Sequence, residues 1–327
     1  MDAVSKAAGS LSVIVPVYNS EPILPQLVER LERVLDGLKR DYEIVLVNDA
    51  SRDGSWGAIQ NLCRDRRRVV GINLMRNYGQ HNALLCGIRA ARGGVVVTMD
   101  DDLQHPPEEI PTLLTALEER GVDVIYGRPA QEQHGLWRNM ASRATKLAME
   151  RMIGATNARD ISSFRAFRTR LRDGFAGFQS PFVSIDVLLT WSTAKLAAIE
   201  VRRDPRTVGK SNYNTWRLVV GTINVITAFS TLPLRAATFL GLVMALFGTA
   251  VLIFVVVSYA LYGSNPGFPF LACIVAIFSG AQLLALGIIG EYLARIFLRS
   301  MGRPVYAVKE VAGRQAAAHS DSFSVHE

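Results

Sequence analysis

Apolar residues recur in short runs along the first part of the chain: Leu11–Tyr18, Tyr42–Asn48, Val69–Leu74, Gly94–Asp100 and Val122–Tyr126. These runs are rich in Val and Ile and too uniformly apolar to leave one face in water, which predicts strands covered on both sides. Between them, Pro22–Leu38, Ser55–Asp65, Gln80–Ala91 and Pro107–Arg120 repeat apolar positions at helical spacing. Strand alternating with helix predicts an α/β fold, a doubly wound, mostly parallel sheet of Rossmann-like type. Ligands on such sheets bind at the carboxyl ends of the strands. The polar residues ending the runs are therefore the first candidates: Tyr18-Asn19, Asn48-Asp49, Arg76-Asn77 and Asp100-Asp101-Asp102.

The pattern changes after residue 235. Ala236 to Gly290 contains no charged residue, although charged residues make up 20% of the chain. A turn cluster, Gly263-Ser264-Asn265-Pro266-Gly267, divides this run into Ala236–Tyr262 and Phe268–Gly290, of 27 and 23 residues. At about 1.5 Å per residue each half can cross a hydrocarbon layer of roughly 30 Å. The turn carries no Lys or Arg, whereas Arg217 and Arg235 precede the hairpin and Arg295, Arg299 and Arg303 follow it. The positive-inside rule then predicts that both ends of a two-helix transmembrane hairpin face the cytoplasm.

Two further segments suit a membrane surface. Residues 136–153 interleave apolar side chains with Arg138, Arg143, Lys146 and Arg151, the pattern of a basic amphipathic interfacial helix or of an ordinary surface helix. Residues 214–235 form a second interfacial candidate leading into the hairpin. The expected organisation is a disordered stretch at 1–10, an α/β domain at 11–213, a membrane-proximal helix at 214–235, transmembrane helices at 236–262 and 268–290, and a cytoplasmic segment at 291–327 with a disordered tail after Ala312.

Net charge is +7, with basic residues concentrated between Arg128 and Arg172 and beside the uncharged run. Such patches attract nucleic acid or anionic membrane. Adjacency to the hairpin favours membrane lipids, and no nucleic-acid partner is expected. Cys63, Cys86 and Cys273 form no C-x-x-C pair, so reduced thiols are expected rather than disulfides or zinc. Residues 1–10 carry no apolar stretch of signal-peptide type, which predicts that the α/β domain stays in the cytoplasm.

Asp100-Asp101-Asp102-Leu103-Gln104 follows a predicted strand. Crowded carboxylates repel one another and attract a hard divalent cation that accepts oxygen ligands. In an extended exit from the strand, Asp100, Asp102 and Gln104 would share one side, with Asp101 pointing the other way, toward a nucleoside. The same residues can equally be a carboxylate-rich turn capping the helix at Pro107. Neither G-x-G-x-x-G nor G-x-x-x-x-G-K-[ST] is present, which argues against dinucleotide enzymes and P-loop ATPases. Arg206-Thr207-Val208-Gly209-Lys210-Ser211-Asn212-Tyr213 can close over a diphosphate, with Arg206 clamping it, or serve as a solvated linker. Arg138 and Ser142, four apart on one helix face, can hold a second phosphate together with Arg128, or be a coincidental surface pair.

The segments VIVPVYNSEPILP, VNDASRDGS, LMRNYGQHNALLCGI, VTMDDDLQHPPEEIP, RDISSFRAFR, RTVGKSNY and GEYLARIFLRSMGRPVY span about residues 11–308. In this order they resemble glycosyltransferase family 2, and within it the polyprenyl-phosphate glycosyltransferases; dolichyl-phosphate mannose and glucose synthases are more distant. The resemblance implies a GT-A fold, an inverting mechanism and a nucleotide-sugar donor, with UDP favoured. It implies a polyprenyl (undecaprenyl) phosphate acceptor, a bacterial inner-membrane location with both termini cytoplasmic, and a homo-oligomer such as a tetramer. It places the nucleoside near Pro16, Tyr18, Asn19 and Asp49, with Asp100 and Asp101 close by. It places Mg2+ or Mn2+ on Asp102 and Gln104, with Asp100 beside them. The acceptor phosphate falls to Arg128, Arg138 and Ser142, and the donor diphosphate to Arg206. Asp160 matches a functionally important Asp of the family.

Two positions depart from the family pattern. Ser20 follows Asn19 where Glu is common, with Glu21 one place later, and Asp101 stands where Ala is frequent. A transferase acting on another lipid or a polysaccharide is the nearest rival, but the Q-x-x-R-W signature of processive synthases is absent. Two uncharged helices offer no polar pathway for transport. An inactive scaffold would be expected to have lost its acidic ligands.

Overall fold

The structure, a computed structural model, describes residues 9–129, 161–180, 182–204, 231–263 and 267–313. The chain divides into two compact units, Met1–Tyr213 with Pro304–Glu327, and Asn214–Arg303.

In the first unit the predicted alternation is present. Strand β1 (Leu11–Val17) leads to helix α1 (Leu24–Gly37), β2 (Tyr42–Asn48) to α2 (Ser55–Asp65), and β3 (Val69–Leu74) to α3 (Gln80–Ala90). Then come β4 (Val95–Thr98), a single 3-10 turn at Pro107–Glu109, α4 (Ile110–Glu119) and β5 (Val124–Pro129). Strand β6 (Arg165–Arg168), a second 3-10 segment (Thr169–Phe175), α5 (Ile185–Ser192), β7 (Leu196–Val201) and β8 (Val308–Ala312) complete the unit.

The strands form one sheet in the order β7-β5-β6-β4-β1-β2-β3-β8. Six of them point the same way. Strand β6 runs antiparallel between β4 and β5, and β8 runs antiparallel along β3. Successive side chains of a strand point to opposite faces, and β1 uses both. Val13, Val15 and Val17 pack with α1, α2 and α4, whereas Ile14 packs with α3 and α5 on the other side. That two-sided burial is why the runs read as continuously apolar. Helix α3 lies so close to the sheet that a Cβ on Gly87 would stand 2.4 Å from the Ile14 side chain.

Pro16 has no N–H to give to a ladder. It pairs in register with Val47 of β2, while β4 is paired with β1 only as far as Ile14. The proline thus sits where β1 has already parted from one neighbour, and this parting opens the carboxyl edge of the sheet.

The second unit contains helices α6 (Leu232–Tyr262) and α7 (Phe268–Ser300). Both are long and apolar enough to cross a membrane, and their membrane-length stretches, Pro233–Leu261 and Ile277–Ser300, are not buried within the protein. Each helix is longer than its uncharged stretch. Helix α6 starts ahead of Arg235, and α7 runs ten residues past Gly290, through Glu291 and Arg295, which pair at 2.6 Å. Phe247 and Phe278 stack at 6.5 Å, and Gly248 leaves room for the Phe278 ring. The hydroxyls of Thr238 and Thr249 donate to carbonyls one turn back, which satisfies them without solvent.

Candidate active site

The carboxyl ends of β1, β2, β3 and β4 converge on one edge, and their loops are tied together by side chains. After β1, Asn19 takes a left-handed conformation (φ 56°), rare for a residue with a side chain. Its N–H donates to Ser51 Oγ at 3.0 Å, and its Oδ1 accepts the Arg52 N–H at 2.8 Å, so the β1 and β2 loops clamp each other. Tyr18 is exposed.

After β2, Asp49 is buried and both carboxylate oxygens are used. They accept the N–H groups of Tyr78 at 2.7 Å and Gly79 at 2.8 Å, which fixes the turn into α3. Burial raises the Asp49 pKa against those two hydrogen bonds. Gly79 holds φ 93°, a conformation that favours glycine. The next residue, Gln80, donates from Nε2 to Asp100 Oδ1 at 2.6 Å.

The acidic cluster after β4 turns instead of running straight. Leu103, a buried residue, is left-handed (φ 56°), so the expected alternation of Asp100, Asp102 and Gln104 along an extended exit does not hold. Asp100 is gripped between Gln80 and the Ser163 hydroxyl, which donates to Oδ2 at 2.7 Å. Both donors are neutral, so they orient its charge without cancelling it. Asp102 Oδ1 accepts the Gln104 N–H at 3.1 Å. The Gln104 side-chain oxygen accepts from Arg203 at 2.6 Å, and its metal-ligand role competes with that contact. Among the described residues no group of three or more His, Cys, Asp and Glu side chains is gathered as a metal nest.

Asp101 does point away from its neighbours, but toward the β1 loop. It accepts from the Tyr18 N–H at 3.2 Å and from the Ser20 hydroxyl. Burial, reinforced by Asp100 and Asp102, pushes its carboxyl up to about 6 against those hydrogen bonds. The two positions that depart from the family pattern therefore meet in one hydrogen bond. Glu21 acts elsewhere, where its carboxylate accepts the Gly54 N–H at 3.0 Å at the start of α2.

Strand β6 brings a second set of residues that the sequence pattern did not reveal. Because β6 is antiparallel, its beginning lies at the carboxyl edge, which is how Ser163 reaches Asp100. Behind it, Arg165 is almost fully buried and ion-paired with Asp186 of α5, while its Nε donates to Thr98 Oγ1 at 3.1 Å. Arg165-Ala166-Phe167-Arg168 places two apolar residues side by side between two arginines, so it offers no period-two signal for a strand. His105 is buried and stacks on Phe164 with ring centroids 5.3 Å apart. Arg128, at the carboxyl end of β5, pairs with Glu200 at 3.2 Å and stays half-exposed. Arg138, Ser142, Asp160 and Arg206, with the helix expected at 136–153 and most of the one at 214–235, lie outside the described residues.

A mostly parallel sheet with paired loops and a carboxylate cluster at its carboxyl edge is a frame shared by many proteins. Residues 12–176 match the family described as glycosyl transferase family 2. The chain belongs to glycosyl transferase family 2. The chain is 36% identical, over 92% of its length and 90% of the relative's, to an undecaprenyl-phosphate 4-deoxy-4-formamido-L-arabinose transferase of Pseudomonas aeruginosa (strain LESB58). It is 34% identical over 93% of its length, and 94% of the relative's, to the protein of the same name in Proteus mirabilis (strain HI4320). Among solved structures it is similar to glucosyl-3-phosphoglycerate synthase from Mycobacterium tuberculosis, crystallised with Mn2+, UDP-glucose and phosphoglyceric acid. That likeness has a TM-score of 0.50 at 20% identity and covers 69% of this chain and 80% of the other, which speaks for the fold. The protein is a glycosyltransferase of GT-A fold carrying two membrane-length apolar helices.

Proposed function

We propose that this glycosyltransferase moves a sugar from a nucleotide donor, UDP-linked, to the phosphate of a polyprenyl phosphate at a membrane surface. The product would be a polyprenyl-monophosphate sugar serving cell-envelope glycan or lipid A modification. The observation that carries the proposal is the joining of the Tyr18-Asn19, Asp49 and Asp100–Asp102 loops at one edge, in a chain that aligns nearly end to end with relatives named for undecaprenyl phosphate. The apolar helices supply the membrane association that such an acceptor requires.

The donor set fits Mg2+ or Mn2+. It consists of carboxylate oxygens, and Asp100 is oriented by neutral partners. Asp102 and Asp100 would hold the cation; Gln104 joins only by giving up Arg203. Such a cation, when bound, offsets charge on the departing diphosphate. The remaining work belongs to the chain's own residues. Tyr18 and Asn19 shape the nucleoside side, Asp101 braces the acidic loop against them, and Pro16 and Asp49 fix the edge from beneath. Arg128, with Arg138 and Ser142, would hold the acceptor phosphate, and Arg206 the donor diphosphate. A phosphate monoester is largely dianionic at neutral pH, its second pKa being about 6. It needs positioning more than a general base, and in-line attack on the anomeric carbon inverts the configuration. Asp160 would orient a sugar or the acceptor. A homo-oligomer, a tetramer by family likeness, in a bacterial inner membrane with both termini cytoplasmic completes the proposal.

The test incubates membranes containing the protein with polyprenyl phosphate and a panel of UDP- and GDP-sugars, followed by mass spectrometry of the lipid. A glycosylated polyprenyl monophosphate from a UDP-sugar is the expected product. No glycosylated lipid from any donor would sink the proposal.

A further inference from the structure

Strand β8 follows both apolar helices in the chain, yet it pairs with β3 in the first unit. A line of side-chain hydrogen bonds starts on it. Asn73 Nδ2 donates to Glu310 Oε1 at 3.0 Å, and Asn48 Nδ2 donates to Asn73 Oδ1 at 2.8 Å. The Ser51 hydroxyl donates to Asn48 Oδ1 at 2.6 Å and accepts the Asn19 N–H at 3.0 Å. The line runs from the C-terminal strand to the left-handed residue of the β1 loop.

Its direction is set at one end. A carboxylate can only accept, whereas a primary amide can present either its oxygen or its NH2. Glu310 therefore turns the Asn73 NH2 toward itself and the Asn73 oxygen toward Asn48. Asn48 in turn gives its NH2 to Asn73 and keeps its oxygen for Ser51, whose N–H also approaches that oxygen at 3.4 Å. Asn48 and Asn73 are 2% and 6% exposed, so water has little room to repair a reversed amide. With the opposite polarity the Asn48 NH2 would face the Ser51 N–H, donor against donor.

We propose that Glu310 is a positioning residue of the donor site: by setting the polarity of the Asn73–Asn48–Ser51 line it holds Asn19 and the nucleotide loop in their binding shape. This rests on the reading of the β1 loop as nucleotide-binding. It makes the donor site depend on a strand that is synthesised only after the hairpin.

The test uses the full chain in detergent, with UDP binding in Mn2+ measured by calorimetry, donor and acceptor KM and kcat, and thermal melting. Glu310→Gln still offers an oxygen and is expected to bind UDP within about twofold of the parent. Glu310→Lys reverses the line and should weaken UDP binding and raise donor KM by about tenfold, the scale of one lost buried hydrogen bond, with acceptor KM unchanged. Adding Asn73→Asp to Glu310→Lys restores an acceptor toward Asn48 and should recover most of the UDP affinity. Parent-like binding by Glu310→Lys would overturn the inference, as would a double variant no better than Glu310→Lys or a loss shared equally by donor and acceptor KM. If the parent itself binds no UDP, the nucleotide reading fails first and the inference falls with it.

Discussion

The hairpin and the carboxyl edge of the sheet are specified in opposite ways. In the hairpin most of the described side chains are exposed, and the defining property is a lack of charge from Ala236 to Gly290. At the exposed positions one apolar residue can stand in for another, whereas Gly248 must stay small beside Phe278. At the sheet edge nearly every polar side chain has a named partner: Asp49 with Tyr78 and Gly79, Asp100 with Gln80 and Ser163, Asp101 with Tyr18 and Ser20. The first region is written in composition and the second in pairings. Single substitutions should therefore act by bulk polarity in one and by partner loss in the other.

The largest effect is expected from Asp186→Ala, which strands the buried Arg165 guanidinium and should lower stability by about 3–5 kcal/mol in denaturation measurements. An apolar double replacement, Arg165→Met with Asp186→Leu, should recover most of that loss. If the single change is harmless, the pairing is ornamental and the contrast weakens. Next, Asp102→Ala should cut transfer by roughly 10²–10³-fold at saturating Mg2+ or Mn2+, on the scale of losing one electrostatic transition-state contact. Full activity in that variant would remove the acidic cluster from the chemistry.

In the hairpin, Leu252→Arg should disfavour insertion by about 2.5–3.5 kcal/mol and reduce the membrane-bound fraction, whereas Leu252→Val should change little. An unaltered membrane fraction with arginine would show that the helix is not lipid-facing.

The smallest effect concerns Asp101. Its carboxyl is raised from 3.8 to about 6 in the folded protein, so burial penalises the charged form. Stability from this group is present below the unfolded value and lost as pH rises through about 4 to 6. Asp101→Asn, which keeps an acceptor for Ser20, should therefore melt higher than the parent at pH 7 by ~1–2 kcal/mol in metal-free protein, with the gap closing at pH 4. A gap independent of pH would contradict the assignment.

Much of the architecture is legible in the chain itself, because two-sided burial makes β1 to β5 mostly apolar. Strands β6 and β8 escape such a reading for a related physical reason. They are short, reversed and mixed in polarity, and their position depends on distant partners: β6 needs β4 and β5, β8 needs β3. The candidate site was legible as a set of residue types but not as pairings. Local spacing suggested that Asp100, Asp102 and Gln104 share a side. It could not foresee that Leu103 turns left-handed, or that Arg203 claims the Gln104 oxygen. Nor could it foresee that Ser20 and Asp101, 81 positions apart, would answer each other.

The insertion of β6 between β4 and β5 has one further consequence. Residues 130–160 leave the sheet from β5 and return through β6, and these two strands are paired neighbours, with Tyr126 opposite Arg165. The described residues on either side of 130–160 thus rise from one common stem. If Arg138 and Ser142 hold the acceptor phosphate as proposed, a chimera joined at residues 129 and 161 should transplant acceptor choice as a cassette and leave UDP binding unchanged.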